Sequence, residues 1–247
     1  MERALTGRVA LVTGGGTRLG QAIALGLGRL GADVAVHYAS SKAGAKDTAQ
    51  RIAIDGNRAD CFQADLTKVE DLKTLAAQVR DVLGPVDILV NSAAGFAREA
   101  FEKTSLETLD GQWALNARAP YLLTQAVLPH MKEKGRGDVV NIVDIGGVFD
   151  AWSQYSAYCM SKAALAALTR SLAVELAPLV RVNAVAPGTV LPPVDLGPET
   201  LEAIRQRIPQ KRFGSPEDVV ATVGFLLTGP TFVTGQIVAV DGGRSLG

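Results

Sequence analysis

The sequence has few cysteines, no surplus of charge of either sign and no long apolar run. Its two cysteines, Cys61 and Cys159, are too few for a disulfide framework. Cys159 has no histidine or second cysteine at metal-binding spacing. We therefore expect no metal site, and we interpret both side chains as small buried or half-buried thiols.

The charges are balanced, with 25 Lys and Arg residues against 25 Asp and Glu residues. A nucleic-acid-binding protein usually carries a basic surplus or patch, so this balance argues against DNA or RNA as a partner. No apolar run approaches the ~20 residues that cross a bilayer. The first residues, MERALTGRVALVTGG, contain no apolar stretch of signal-peptide length. We expect a cytoplasmic protein without a nucleic-acid or membrane partner.

What the sequence does contain is a regular alternation of short apolar runs with helix-like segments. The apolar runs are rich in β-branched residues and nearly continuous, which is typical of parallel strands covered on both faces. We predict strands at 8–13, 33–38, 59–64, 86–91, 138–143, 180–186 and 236–240. We predict helices at 20–30, 43–55, 68–83 and 161–177, the third capped by residues 65–67 and the last buried on several sides.

This alternation predicts an α/β fold with a doubly wound parallel sheet, a Rossmann-type domain with helices on both faces. The sequence contains no linker or internal repeat, so we predict a single domain over residues 1–247. The least regular segment runs from Pro187 to Pro198 and contains four prolines. Such a segment is typical of a binding loop, and we place a substrate-binding lid at residues 187–212.

A glycine-rich turn follows the first predicted strand directly. Residues 13–20 read TGGGTRLG and lead into a helix. Glycines permit a tight turn and let backbone amides approach a pyrophosphate, and a helix N-terminus favours that anion. The strand before and the helix after make this turn a candidate dinucleotide site. We predict cofactor contacts from Gly14, Thr17, Arg18 and Leu19.

The end of the second strand indicates which dinucleotide binds. NAD enzymes place an acid there for the ribose 2′-hydroxyl, but residues 37–42, HYASSK, contain none. Hydroxyls and cations suit a 2′-phosphate instead. We predict NADPH as the cofactor, with His37, Tyr38, Ser40 and Ser41 among its contacts. The other interpretation is that Ser40 and Ser41 only cap the next helix.

Tyr158 and Lys162 are candidate catalytic residues because their spacing places them on one face of a helix. A tyrosine with a pKa of about 10 is a poor acid at neutral pH, and a neighbouring ammonium lowers that pKa toward the working range. Such a pair also occurs by chance, so its identification depends on the rest of the chain. Tyr155 competes for the tyrosine role but lacks a lysine four residues later.

The order of the motifs resembles the short-chain dehydrogenase/reductase family over nearly the whole chain. The motifs are the turn at 13–20, Asn91-Ser92-Ala93-Ala94, Asn116, Tyr158-x-x-x-Lys162, Pro187-Gly188 and Asp241-Gly242-Gly243. The resemblance implies hydride transfer from a nicotinamide and a homotetramer. It implies that Tyr158 donates a proton, that Lys162 binds the nicotinamide ribose and that Asn116 holds a water in a proton relay. The further cofactor contacts that it implies are Asp65, Leu66, Asn91, Ser92, Ala93, Pro187 and Gly188.

Two positions resemble a narrower branch of that family. Most members have glycine where this chain has Arg18 and serine where it has Asp144. An arginine and an aspartate at these positions resemble the pteridine reductases, which include trypanosomatid pteridine reductases and bacterial dihydromonapterin reductases. This resemblance implies a flat pterin ring between the nicotinamide and Phe96, held by Arg18 and protonated by Asp144 beside Tyr158. Each side chain has a simpler explanation: Arg18 as a phosphate clamp, Phe96 as a core residue and Asp144 as a turn acid.

We therefore predict NADPH-dependent reduction of a dihydropterin or dihydrofolate, with Asp144, Tyr158, Lys162 and Asn116 as catalytic residues. One alternative is a reductase of 3-oxoacyl thioesters or small ketones, which Arg18 and Asp144 oppose. Another is a non-catalytic NADP-binding sensor, which the intact tyrosine and lysine oppose. Candidate pocket walls are Phe149, Trp152 and residues 191–194.

Overall fold

Seven strands form one sheet in the computed structural model of the chain, which describes residues 3–192 and 197–247. The strands are β1 (Val9–Val12), β2 (Asp33–Tyr38), β3 (Ala59–Gln63), β4 (Ile88–Asn91), β5 (Gly137–Ile142), β6 (Val180–Pro187) and β7 (Ile237–Val240). Their order in the sheet is β3-β2-β1-β4-β5-β6-β7, and every neighbouring pair is parallel. The predicted doubly wound parallel sheet is confirmed.

Helices cover both faces of the sheet. They are α1 (Arg18–Arg29), α2 (Lys42–Ile54), α3 (Val69–Val82), α4 (Leu106–Trp113), α5 (Ala119–Glu133), α6 (Ser156–Glu175), α7 (Pro198–Gln206) and α8 (Pro216–Thr228). A π-helical turn, Ala114–Arg118, joins α4 to α5, and two short 3-10 helices occupy Phe101–Lys103 and Arg244–Leu246. Residues 193–196 of the predicted lid lie outside the described residues.

The two faces of the sheet bury separate apolar layers. One layer packs α1, α2 and α8 against the strands, and the other packs α3, α5 and α6 against the opposite face. Leu11 and Val12 are neighbours in β1 yet belong to opposite layers, and both are fully buried. Because both faces of a strand are covered, its sequence is apolar at every position rather than at alternate ones.

The chain reverses its direction of winding at β1. This strand pairs with β2 on one side and with β4 on the other, and the helices that lead into these two strands, α1 and α3, pack on opposite faces of the sheet. In doubly wound sheets the ligand crevice forms at this point, beyond the carboxyl ends of the strands. The turn at residues 13–20 and the segment after β4 both begin at this edge.

Three predictions about the helices are wrong. Helix α6 begins at Ser156, before the predicted start at 161, and it buries one face rather than several, since Val174 is 82% exposed. Its first turns contain buried Tyr158 and Lys162, which interrupt the apolar pattern by which a helix is recognised. Asp65 does not cap α3, because it accepts hydrogen bonds from the amide and hydroxyl of Thr67, at 3.0 and 2.6 Å, and closes a local turn.

Both cysteines are free and half-buried, as predicted. Within the residues that the structure describes, no His, Cys, Asp and Glu side chains converge as a metal site. In the same residues, no helix combines the length and the apolar character needed to cross a membrane.

Candidate active site

A cleft of about 800 Å³ lies at the carboxyl edge of the sheet, beyond the ends of β1 and β4. It is bordered by the turn after β1, by the ends of β2 and β5, and by the segment after β6. The structure brings most of the predicted site residues together there. These residues are Gly14, Thr17, Arg18, Leu19, His37, Tyr38, Ser40, Ser41, Asp65, Leu66, Ser92, Ala93, Phe96, Asp144, Tyr158, Lys162, Pro187 and Gly188.

The turn after β1 is held in place by close backbone contacts. Gly14 has a φ of +67°, and a β-carbon there would lie 3.1 Å from the Cα of Ala93, so a larger residue would be both strained and crowded. The hydroxyl of Thr13 accepts hydrogen bonds from the amides of Ser92 and Ala93, at 2.9 and 3.0 Å. Helix α1 then starts without a side-chain cap. Its first amides are therefore available to an anion such as a pyrophosphate.

The side chain of His37, in β2, holds this turn in place through a hydrogen bond. Its Nδ1 accepts a hydrogen bond from the amide of Gly14 at 3.1 Å, so its other nitrogen, Nε2, carries the proton and donates to the carbonyl of Ala64 at 3.1 Å. Burial lowers the pKa of His37, which keeps the ring neutral. The side chain predicted as a cofactor contact therefore lines the cleft and also holds Gly14 in position.

The end of β2 provides hydroxyls and a helix start. Ser40 and Ser41 line the cleft directly before α2, and the side chain of Ser41 makes no cap hydrogen bond with that helix. Tyr38 is buried beside them, and Asp65 and Leu66 border the same region. The interpretation of Ser41 as a helix cap alone is wrong.

Arg18 occupies an unfavourable backbone conformation. Its φ is +49°, in the left-handed region that costs an ordinary residue about 1 kcal/mol and costs glycine nothing. Its guanidinium extends across the cleft and donates from Nη2 to the carbonyl of Leu191 at 3.0 Å. The side chain thus joins the turn after β1 to the segment after β6.

Asp144 and Tyr158 form a hydrogen-bonded pair at the end of β5. The hydroxyl of Tyr158 donates to Oδ2 of Asp144 at 2.7 Å, and the amide of Gly146 donates to Oδ1 at 2.9 Å. Burial raises the pKa of Asp144, although hydrogen bonds and the charges of Lys162 and Arg244 oppose that shift. The carboxyl therefore holds its proton closer to neutral pH than an exposed aspartate does.

Lys162 lies one helical turn beyond Tyr158 and is buried. Its ammonium donates to the carbonyl of Ile142 at 2.8 Å and lies 5.8 Å from the centre of the Tyr158 ring. Burial lowers the pKa of Lys162 to about 8, while the charge of Asp144 acts in the opposite direction. The ammonium is thus retained at neutral pH and lost on moderate alkalinisation.

The expected lowering of the tyrosine pKa is wrong for this site. Burial and then the negative charge of Asp144 raise the pKa of Tyr158 well above 10. The hydroxyl donates to a carboxylate rather than facing only the ammonium, so the phenolate is disfavoured. Tyr158 therefore cannot act readily as an acid by itself, and it needs a proton from a partner.

Comparison with known proteins identifies the family. A family model described as enoyl-(acyl carrier protein) reductase matches residues 16–245. A solved structure of a putative short-chain alcohol dehydrogenase from Sinorhizobium meliloti superposes with a TM-score of 0.93, at 30% identity over 99% of this chain and 98% of that one. The chain belongs to the short-chain dehydrogenase/reductase family. It is an oxidoreductase of a family that uses a nicotinamide cofactor.

Two further members show the range of this family. A 3-oxoacyl-[acyl-carrier-protein] reductase of Synechocystis is 36% identical over 97% of this chain and 98% of its own length. A blue fluorescent protein from a metagenomic library, solved in complex with NADPH, is 33% identical and has a TM-score of 0.91, covering 98% of this chain and 99% of that one.

Two asparagines taken from the family pattern do not line the cleft. The amide of Asn91 donates to Asn141 at 2.8 Å inside the sheet. Asn116, in the π-helical turn, accepts from the amide of Gly95 at 2.8 Å and donates to Ser161 at 3.0 Å. Both side chains therefore hold elements of the site together, and the water-holding role of Asn116 stays a prediction.

Phe96 is 51% exposed and is not a core residue. It stacks on Tyr155 with ring centres 4.8 Å apart and meets Tyr158 edge-on at 4.8 Å. Trp152 completes the group, edge-on to Phe96 at 6.4 Å, and it lines the cleft together with Phe96 and Tyr158. The prediction of Trp152 as a pocket wall is confirmed, as is that of Leu191, whereas Phe149 does not line the cleft.

Sequence reasoning missed two residues that organise the site. Thr13 was predicted only as part of the glycine-rich turn, although its hydroxyl joins the segment after β1 to the segment after β4. Arg244 directly follows the Asp241-Gly242-Gly243 motif and was not among the predicted site residues, although its guanidinium contacts Trp152 and Thr189. An arginine directly after a double glycine was the available signal for the second.

Proposed function

We propose that the protein is an NADPH-dependent reductase that converts a dihydropterin or dihydrofolate to its tetrahydro form. The observation that carries this proposal is the 2.7 Å hydrogen bond between Tyr158 and Asp144 in the cleft. A ring C=N bond requires a proton on nitrogen as a hydride reaches the adjoining carbon. A buried carboxyl with a raised pKa is a proton source that suits this step.

The pair can deliver the proton as a relay. The relay starts from the protonated form of Asp144, in which the hydrogen bond is reversed and the carboxyl donates to the hydroxyl of Tyr158. Tyr158 gives its hydroxyl proton to the ring nitrogen and takes the carboxyl proton of Asp144, which ends as a carboxylate. No phenolate accumulates, which agrees with the raised pKa of Tyr158. Lys162 then faces a carboxylate, and its ammonium stabilises the charge that remains.

The cleft offers a place for the dinucleotide. The amides at the start of α1 and the turn from Gly14 to Leu19 would hold its pyrophosphate, and Lys162 would hold the nicotinamide ribose. When bound, NADPH supplies the hydride. The chain's own residues position the ring and move the proton.

Arg18 and Phe96 support a flat, nitrogen-rich substrate. A planar guanidinium can bond a ring oxygen and nitrogen together, and the strained backbone of Arg18 indicates that this position is kept for its side chain. The exposed part of Phe96 offers a surface on which an aromatic ring can stack. Arg18 is also suited to clamp a cofactor phosphate, and the two roles are compatible.

The proposal specifies NADPH because the end of β2 carries hydroxyls and no acid, and because a family member binds NADPH. Ser40→Asp should weaken NADPH binding by about tenfold or more, since a carboxylate would repel the 2′-phosphate, and it should improve NADH binding. Fluorescence titration with both cofactors measures this, with Ser40→Ala as the control for loss of the hydroxyl. Tighter binding of NADH than of NADPH by the unaltered protein would contradict the choice of cofactor.

The expected pH dependence of pterin reduction follows from the shifted pKa values of Asp144 and Lys162. Pterin reduction should slow as pH rises and Asp144 loses its reserve proton, and it should slow again as Lys162 loses its charge near a pKa of about 8. Both losses occur in the alkaline direction, because the protonated form is the active one in each case. A profile of kcat/KM against pH measures this; a rate that rises with pH through this range would contradict the assigned protonation states.

The proposal is tested by steady-state assays with NADPH and either dihydrobiopterin or an acetoacetyl thioester. We expect a kcat/KM at least about tenfold higher for dihydrobiopterin, the margin that one well-placed charged hydrogen bond provides. Turnover of the thioester alone would overturn the pterin assignment. It would leave intact the membership of the family.

The second candidate function is reduction of a 3-oxoacyl thioester. It is favoured by the similarity to the Synechocystis 3-oxoacyl-[acyl-carrier-protein] reductase. It is opposed by Asp144, whose charge raises the pKa of the tyrosine that a ketone reductase would use as its acid. A non-catalytic sensor is opposed by the assembled set of Asp144, Tyr158 and Lys162.

We also propose that the protein is a homotetramer, as the family resemblance implies. Exposed apolar side chains on the outer surfaces of α4, α5 and α6 support this, since Trp113 is 44%, Tyr121 50% and Val174 82% exposed. Sedimentation equilibrium measures the assembly, and a monomer at all concentrations would contradict it.

A further inference from the structure

Trp152 is fixed on several sides in the wall of the cleft. Its indole Nε1 donates to Oδ2 of Asp150 at 2.9 Å. Its ring covers the backbone of Gly146 so closely that a β-carbon there would lie 2.8 Å from the indole. Its plane is nearly parallel to that of Tyr158, at 13°, with ring centres 6.4 Å apart. A wall held this way presents a defined surface next to the catalytic hydroxyl.

The remaining support for Trp152 comes from the far end of the chain. Arg244 follows β7, and its guanidinium carbon lies 5.5 Å from the centre of the Trp152 ring. The same guanidinium donates from Nη1 to the hydroxyl of Thr189 at 2.7 Å. Trp152 and Thr189 both line the cleft, one before α6 and the other after β6, whereas Arg244 itself does not line it.

The turn that carries Arg244 is itself well supported. The carboxylate of Asp241 accepts hydrogen bonds from the amides of Gly243 and Ser245, at 2.9 and 2.8 Å. Gly243 has a φ of +87°, which directs the chain back toward the cleft. Within the described residues, the Nε of Arg244 is buried without a hydrogen-bond partner. The unsatisfied donor costs free energy, which the contacts of the guanidinium with Trp152 and Thr189 offset.

We propose that Arg244 is a positioning residue that sets the shape of the substrate half of the cleft by holding Trp152 and Thr189 at fixed places. The cation lies over the ring of Trp152 and prevents it from turning into the cleft or out to solvent. The bond to Thr189 fixes the opposite wall. The identity of the substrate ring rests on the proposed function, whereas the contacts of Arg244 do not.

This role predicts a specific kinetic pattern. Arg244→Met keeps most of the side-chain volume and removes the cation and its donors. The substrate KM should rise about tenfold, because one cation–π contact and one hydrogen bond together contribute on that order. The kcat should change by less than about twofold, since Asp144 and Tyr158 keep their places. Arg244→Lys keeps the cation and should recover part of the loss.

A spectroscopic measurement tests the same role without any substrate. The protein has two tryptophans, Trp113 and Trp152, so Trp113→Phe leaves Trp152 as the single fluorescent indole. In this background, Arg244→Met should raise acrylamide quenching of Trp152 at least about twofold, since the ring is released from its cation. Arg244→Lys should lie between the two. Arg80→Met, on the outer surface of α3, removes an arginine that pairs with neighbouring Asp81; it is the matched control and should leave both quenching and KM unchanged.

The results of these experiments test the positioning role of Arg244 separately from the proposed reduction of a pterin. Unchanged quenching in Arg244→Met, or a fall in kcat with KM unchanged, would overturn the positioning role. KM is measured with whichever of dihydrobiopterin and the acetoacetyl thioester is turned over. Failure of the unaltered protein to reduce dihydrobiopterin therefore counts against the pterin proposal and not against Arg244.

Discussion

Replacement of Tyr158 by phenylalanine should lower kcat by about a thousandfold, within the range that a positioned proton donor contributes. The ring would remain in its contacts with Phe96 and Trp152, while the hydroxyl 2.7 Å from Asp144 would be lost. Without that hydroxyl the proton of Asp144 has no path to the substrate. Stopped-flow or steady-state oxidation of NADPH measures this effect, and cofactor affinity should be nearly unchanged.

Tyr155→Phe is the matched control for this experiment. It removes the same atom from the neighbouring tyrosine and preserves the stacking of that ring on Phe96. We expect this variant to retain most of its activity. If Tyr158→Phe kept the full rate, or if Tyr155→Phe lost it instead, the catalytic assignment would be refuted.

Replacement of Asp144 by serine should change which substrate the enzyme prefers. It removes the reserve proton for a ring nitrogen, so pterin reduction should fall by about a hundredfold. It also removes the negative charge that raises the pKa of Tyr158, so thioester reduction should be maintained or increased. The ratio of kcat/KM values for dihydrobiopterin and the acetoacetyl thioester reports both changes.

Asp144→Asn separates charge from shape in the same assay. It keeps the size of the side chain and its hydrogen-bonding capacity, but it has no transferable proton at neutral pH. Pterin reduction should therefore be as low as in Asp144→Ser. An equal loss of pterin and thioester activity in both variants would mean that Asp144 only supports the structure of the site.

The sheet was predictable from the sequence because the strands are short runs that are rich in apolar residues, and in β1 and most of β4 these residues are consecutive. The parallel direction of the strands follows from these nearly continuous apolar runs. The predicted strands agree with those observed to within two residues at every end. No residue ranges were predicted from the sequence for helices α4, α5, α7 and α8. Helix α6 was placed too late, because the buried polar side chains of Tyr158 and Lys162 interrupt the apolar pattern of its first turns.

The residues of the cleft were predictable where one local motif carries them. The turn after β1 and the tyrosine–lysine pair are contiguous in sequence, so their spacing indicates their arrangement. The partners of Asn91 and Asn116 could not be predicted, because Asn141 and Ser161 are distant in sequence. The contact between Arg244 and Trp152 joins two loops for the same reason.

The direction of the pKa shift of Tyr158 could not be predicted from the sequence either. A tyrosine four residues before a lysine predicts a lowered tyrosine pKa. The pKa of Tyr158 is raised instead, because the side chain is buried and because its hydroxyl bonds the buried carboxylate of Asp144. The conformation of Arg18 is a similar case, since only the backbone angle reveals that the arginine occupies a position suited to glycine.

The proposed function depends on the guanidinium of Arg18 and the protonated carboxyl of Asp144, which together would hold and protonate a heteroaromatic ring. A crystal structure of the protein with NADPH and methotrexate tests this directly. We predict a flat ring against Phe96, with its nitrogens within hydrogen-bonding distance of Arg18 and of the Asp144–Tyr158 pair. A ring bound elsewhere, or an Arg18 and an Asp144 turned away from the ligand, would contradict the claim.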